Sequence, residues 1–167
     1  MMDYQIMDAT EYGVDAAADY FHSKWGNSHN HGFYLDAIAH SAGVKQLPKF
    51  FLLLKGQQAV GCYGLITNDF ISRCDLWPWL ACLFIEESER GQRLSQGIFV
   101  HAAKQAGAMG FEQLYLTTDH QGLYEKFGWQ RLADGYSLFG AKTRIYQHSV
   151  DRLLRLESEI PLGCRNL

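Results

Sequence analysis

The sequence is poor in cysteine and poorer in proline, and it has no basic cluster and no apolar run that could cross a bilayer. Cys62, Cys74, Cys82 and Cys164 show no C-x-x-C spacing, and the chain is large enough to fold without covalent staples. Reduced, mostly buried thiols are expected, and with them a cytoplasmic setting. Lys and Arg number 15 against 18 Asp and Glu, a net charge of −3, and they are scattered. Without a basic footprint, nucleic acid is not expected as a partner. The strongly apolar run Phe50 to Leu54 is far too short for a membrane span. Met1-Met2-Asp3-Tyr4-Gln5 carries no basic segment ahead of an apolar one, so neither an export signal nor a membrane association is expected. His29-x-His31 has no third ligand at diagnostic spacing, so no metal is expected. Repeats and low-complexity segments are absent too.

What is present is material for a core: 167 residues, 47% of them apolar and 14% aromatic. That is the size of one domain. A short strand is predicted at Tyr4 to Met7. Val14, Ala17, Ala18, Phe21 and Trp25 form one stripe of a helix spanning Glu11 to Trp25, which Gly26 ends. After the polar turn 27–32, Tyr34, Ala37, Ile38 and Ser41 mark a second helix with Gly43 as its stop. Phe50 to Leu54 and Ala59 to Thr67 read as a hairpin about Lys55-Gly56-Gln57-Gln58. Pro78 admits a further strand, Trp79 to Ile85.

The periodicity then changes to helical. Leu94, Ile98, Ala102, Ala106 and Met109 share one helix face, with Gly110 after the last turn. Gln113 to Thr118 is a strand, Asp119 can cap a short helix through about Phe127, and Gly128 stops it. A strand, a helix and a strand in that order predict a crossover between parallel strands. Trp129 to Leu132 and Thr143 to His148 are two last strands, joined by a loop containing Gly135, Tyr136 and Gly140. Residues 149–167 read as a C-terminal tail with one amphipathic turn carrying Leu153, Leu154 and Leu156, after a single domain over 1–148.

Arg90-Gly91-Gln92-Arg93-Leu94-Ser95 lies between a strand and a helix. The first N–H groups of a helix lack internal partners and its dipole favours anions there, so this turn can dock a phosphorylated ligand.

Three stretches in this order, Trp79 to Ile85, the Arg90 to Ser95 turn with its helix, and Leu123-Tyr124-Glu125-Lys126-Phe127-Gly128-Trp129, resemble the GNAT N-acetyltransferase superfamily. The likeness covers roughly residues 3 to 148. The family turn reads Gln/Arg-x-x-Gly-x-Gly/Ala, and the later segment commonly reads Tyr-Glu-x-x-Gly-Phe. Arg90 matches the first position; Arg93 stands where Gly is expected, and Ser95 where Gly or Ala is. Arg93 therefore either points away from a pyrophosphate or folds over a phosphate as an added charge.

The resemblance implies an α+β fold of α/β/α layers, with a mixed, mostly antiparallel sheet of six or seven strands. A central parallel pair would splay apart, and about four helices would flank the sheet. It implies acetyl-CoA as co-substrate, with its pantetheine arm along Leu83, Phe84 and Ile85 and its pyrophosphate on Arg90, Gly91, Gln92, Arg93, Leu94 and Ser95. Collapse of the tetrahedral intermediate in amine acetylation needs a proton for the departing thiolate, and by resemblance the Tyr124 phenol provides it. An alkylamine has a pKa of about 10, so a base must also take its proton. Trp79 to Ile85 holds no acid, leaving Asp75 and His120 as alternatives; imidazoles exchange protons near neutral pH.

The resemblance draws the acceptor pocket from the loop between the first two helices and the last hairpin, with Trp25, Phe33 and Tyr136, and Trp79 as a wall. The expected activity is N-acetyl transfer to the primary amine of a small molecule by direct attack in a ternary complex. The rival is a catalytically silent acyl-CoA-binding module. The last strand edge or the tail offers a surface for a homodimer.

Overall fold

Strand β2 (Lys49–Lys55) is apolar on both faces because both faces are covered. Alternate side chains point to opposite sides of a strand. Phe51 and Leu53 therefore enter one core with Tyr63, Leu65, Ile98 and Phe99, while Phe50, Leu52 and Leu54 enter another with Ala17, Phe21, Tyr34 and Ile38. The result is a sheet between two helical layers. The computed structural model describes residues 3–160 of the chain.

Around β2 the sheet contains β1 (Tyr4–Asp8), β3 (Gln58–Ile66), β4 (Trp79–Ile85), β5 (Gln113–Thr118), β6 (Gln130–Tyr136) and β7 (Lys142–Ser149). Its order is β1-β2-β3-β4-β5-β7-β6, and only β4 and β5 run parallel. One layer is made by α1 (Ala9–Tyr12), α2 (Val14–Trp25) and α3 (His31–Ala39). The other holds α4 (Leu94–Ala108) and α5 (Val150–Arg155). This is the α+β, mostly antiparallel arrangement expected, with five α-helices among the described residues. Among the described residues no helix is long and apolar enough to cross a membrane.

The local departures from expectation have physical causes. The first helix is split at Gly13, whose φ of +120° no helix accommodates; Asp8 caps the first piece by accepting from Thr10 N at 2.8 Å. No helix starts at Asp119. Thr118 Oγ1 instead accepts the His120 N–H at 3.0 Å, and only Tyr124–Phe127 coil, as a 3-10 turn. Gly135 and Tyr136 belong to β6 rather than to a loop. The segment 68–77 straps the β6 edge: Ser72 N donates to Tyr136 O at 2.9 Å, and Ile71 bridges to Ser137. A Cβ at Gly135 would come within 2.8 Å of both Ile71 and Ile145.

The parallel pair meets at a single register position, Trp79 opposite Tyr115. Trp79 is fully buried there, with its ring 5.8 Å from Tyr115. Beyond it β4 bends. Cys82 has φ +53°, and the β3–β4 register slips between Cys62 and Gly64, as at a bulge. The two strands separate from there.

Residues after 148 do not trail away. Ser149 caps α5 by accepting from Arg152 N, and Val150, Leu153 and Ile160 are buried in the core that contains α4. Residues 161–167 of the expected tail, Cys164 among them, lie outside the described residues. Leu153→Ala should lower the free energy of unfolding by about 2–5 kcal/mol in urea titrations, the usual cost of truncating a fully buried leucine. A loss under about 1 kcal/mol would detach α5 from the cooperative unit.

Candidate active site

The gap between β4 and β5 opens into a cleft of about 530 Å³, a usual size for a small-molecule site. Leu80 to Leu83 form one wall and Leu116 to Thr118 the other, with Trp25, Phe33 and Tyr34 across the opening. Trp25 sits at the last turn of α2, and its Nε1 donates to the Cys82 carbonyl at 2.9 Å. The Cys62 thiol donates to the same oxygen at 3.3 Å. The kink at Cys82 thus turns a carbonyl out of the ladder and gives it two donors. Burial pushes the Cys82 thiol up to about 12, so it is a packing group near neutral pH.

The Arg90 to Ser95 turn is held from below. Glu89 is buried; its carboxylate accepts from Tyr4 Oη and from Lys55 Nζ at 2.9 Å to each oxygen. These contacts, Tyr4 first, keep its carboxyl below the usual range. Tyr4 Oη also donates to Gln92 Oε1 at 3.0 Å. Strands β1 and β2 therefore fix where the turn begins. Gly91 and Arg93 have φ of +85° and +59°, so the position where the family pattern has glycine keeps a glycine-like backbone at some steric cost. Among the described residues no backbone hydrogen bond is donated by residues 91–95; the first from α4 are Gln96 N and Gly97 N to the Arg93 carbonyl.

Arg90 is exposed and donates through Nε to the Ile85 carbonyl at 3.0 Å, with its guanidinium 5.8 Å from the Phe84 ring. Leu94 is buried and anchors α4. Arg93 faces a second groove, of about 440 Å³, shared with Lys126, Arg152 and Glu159.

Tyr124 lines the cleft from the 3-10 turn after β5. Burial raises its phenol above the ordinary value, and its ring packs among Phe99, Trp129 and Tyr146. No hydrogen bond engages its hydroxyl among the described residues. His120 is exposed and lines the same cleft. Leu83 lines it as well, with Phe84 and Ile85 continuing the same strand toward the turn.

Three expected residues lie elsewhere. Asp75 is exposed and forms a two-bond ion pair with Arg73, 2.8 Å each, on the strap outside the cleft. Trp79 is sealed beneath the point where β4 and β5 meet, donating to the Leu76 carbonyl at 2.6 Å, so it walls the core and not the cleft. Tyr136 stands 53% exposed on β6, because β6 is at the far side of the sheet. Trp25 and Phe33 do reach the opening. Among the described residues no three His, Cys, Asp or Glu side chains gather to hold a metal ion.

One group has no signal in the sequence. Asp69 comes from the strap after β3 and lines the cleft beside Thr117, whose Oγ1 donates to its Oδ2 at 3.1 Å. No other hydrogen bond reaches this carboxylate among the described residues. Burial lifts its carboxyl to about 6 from 3.8, with the Thr117 bond opposing. The two residues are 48 apart in sequence, and only the folding of the strap joins them.

The sequence matches the model of the acetyltransferase (GNAT) family over residues 14–129. None of the curated proteins matches it. Among solved structures the chain is similar to a GNAT family acetyltransferase from Elizabethkingia anophelis with acetyl-CoA bound, at 14% identity and TM-score 0.63, covering 88% of this chain and 98% of that one. It is similar to aminoglycoside 6'-acetyltransferase type Ii at 15% identity and TM-score 0.66, covering 89% and 97%. It is also similar to aminoglycoside acetyltransferase AAC(6')-Ib in complex with coenzyme A, at 11% identity and TM-score 0.66, covering 92% and 98%. At these identities the likeness is one of fold.

Asp69 also leaves a signature in stability. With its folded pKa raised from 3.8 to about 6, the native state holds a proton that the unfolded chain has lost, so this group's contribution is full below 3.8 and disappears as pH rises through 6. Asp69→Asn stays uncharged and should be more stable than the parent chain above pH 6, with the advantage fading below about pH 4. Urea midpoints at both pH values measure this; a difference that does not vary with pH would place the carboxylate in ordinary solvent.

Proposed function

Because this chain belongs to the acetyltransferase (GNAT) family, we propose that it moves an acetyl group from acetyl-CoA to the primary amine of a small molecule, by direct attack in a ternary complex. The observation that carries this reading is the run of undonated N–H groups at residues 91–95, at the head of α4 and at the end of the strand that parts from β5. Such a run fits a diphosphate, since the donors are fixed before the ligand arrives and the helix dipole favours the charge. Arg93, Lys126 and Arg152 give the neighbouring groove three cations against Glu159, which suits further phosphate. The free side of β4 at Leu83 to Ile85 suits an extended amide-bearing arm.

Acetyl-CoA supplies a thioester carbonyl for the amine nitrogen to attack and a thiol as leaving group. The protein's part is to orient and to manage protons. Tyr124 is half-buried, has a raised phenol pKa and carries a hydroxyl with no hydrogen-bond partner among the described residues, so it keeps its proton until a sulfur anion develops nearby. His120 and Asp69 line the cleft and can take the amine's proton directly or through water. No covalent enzyme intermediate is needed.

Tyr124→Phe keeps the ring packing and removes only the acid. Turnover should fall about 10²–10⁴-fold, the usual worth of a general acid, while coenzyme A binding stays within about twofold. Unchanged turnover across the pH range would remove Tyr124 from the mechanism, and tight coenzyme binding without thioester cleavage over a broad amine panel would favour a silent acyl-CoA-binding module.

Arg93→Gly separates backbone from charge, since glycine adopts φ +59° freely. Stability should rise by roughly 1 kcal/mol, whereas coenzyme A affinity, measured by calorimetry, should weaken about tenfold if the guanidinium engages phosphate. Unchanged affinity would show that the N–H groups hold the diphosphate alone.

A further inference from the structure

The charges around the cleft are one-sided. Of its lining residues, Asp69, Asp119 and His120 are the ionisable acid and imidazole groups, and among the described residues no lysine or arginine lines it. The cations next in sequence to the lining residues Trp25 and Thr143 are engaged elsewhere. Lys24 is ion-paired with Glu86, and Arg144 donates to the Asp119 carbonyl at 3.0 Å. Asp119 is exposed at the rim and shares a separate depression with Arg131, Lys142 and Arg144. That leaves Asp69 as the carboxylate within the cleft that has no cation beside it among the described residues.

The opening opposite is aromatic and wet. Trp25, Phe33 and Phe70 are 48%, 48% and 57% exposed, large apolar side chains in a position where burial against a partner would be favourable. Phe33 and Phe70 lie 5.6 Å apart at a tilt, leaving ring faces that attract both apolar groups and cations.

Resting on the acetyl-transfer reading, we propose that the acceptor is a lipophilic monoamine without a carboxylate, an arylalkylamine in chemical class, with its ammonium on Asp69 and its apolar body between Trp25, Phe33 and Phe70. An amino acid is disfavoured because its carboxylate would be desolvated beside Asp69 with no cation to meet it. A polyamine is disfavoured because an ammonium beyond the first would find only the rim carboxylate of Asp119, which shares its depression with Arg131, Lys142 and Arg144. Selection on this view works by what the cleft omits as well as by what it contains. Thr117 positions Asp69 and leaves its second oxygen for the ligand.

The test uses three probes that share an amine and differ in the feature at issue: phenethylamine, phenylalanine and spermidine. Thiol release from acetyl-CoA should show kcat/KM for phenethylamine at least ~100-fold above either of the others, the range over which an unpaired buried polar group discriminates. Equilibrium binding of phenethylamine, measured by calorimetry without turnover, should weaken at least ~10-fold in Asp69→Asn and in Phe33→Ala, with coenzyme A affinity unchanged in both. Phe33 is half-exposed, so its variant guards against a folding artefact at Asp69. Equal use of phenylalanine or spermidine, no binding of phenethylamine, or full binding by both variants would each overturn the proposal. Failure of the underlying acetyl-transfer reading shows separately, as absence of coenzyme A binding while the Asp69-dependent amine binding persists.

Discussion

The organising constraint is that β4 and β5 can pair at Trp79 and Tyr115 and nowhere beyond. A sheet that stops pairing in its middle exposes main-chain groups that must find partners. The protein meets part of this demand itself, through Trp25 Nε1 and the Cys62 thiol on the Cys82 carbonyl and Arg90 on the Ile85 carbonyl. It leaves the rest as a place for a ligand. The left-handed backbone at Cys82 is strain of the kind that persists only where surrounding structure enforces it. Here the enforcing elements are a fully buried Trp79 on one side and the end of α2 on the other.

Rigid supports surround the opening. Below the turn, Glu89 is held by Tyr4 and Lys55. Next to it, Glu86 is held by Lys24 and by Tyr20 at 2.9 Å, contacts that keep its carboxyl low, the Lys24 bond foremost. Of the three glutamates that precede the expected phosphate site, Glu86 and Glu89 are neutralised by cations from other elements, and the exposed Glu87 lies 3.7 Å from the Arg90 guanidinium. The turn can thus present N–H groups to an anion without facing bare carboxylates. The cleft proper has the opposite character, lined by acids and, among the described residues, by no lysine or arginine. A polyanionic ligand and a cationic one can approach from different sides, and each finds its complement in only one of the two places.

Much of the fold was legible because periodicity survives folding. The apolar run Phe50 to Leu54 reads as a strand covered on both faces, and Leu94 to Ala108 carries a helical stripe between a turn and a glycine. The parts that were not legible depend on contacts across long sequence separations. Residues 68–77 have no periodic pattern because their order comes from lying along β6. The same strap supplies Asp69 and carries Asp75 away to Arg73. Trp79 looked like a wall of the site since its aromatic bulk is visible in sequence, while the side of the sheet it occupies is not. Leu153 looked like part of a tail because a six-residue helix is too short to show a convincing stripe.

The sequence by itself determined the order of elements, the position of the turn at the head of α4 and the aromatic-acidic segment containing Tyr124, since each is a local pattern of spacing, capping and glycine placement. Only the tertiary structure decided where the sheet splits, which acid enters the cleft, and that among the described residues no lysine or arginine enters with it. Those outcomes depend on which distant side chains fill space and satisfy hydrogen bonds together, and spacing along the chain carries no record of that.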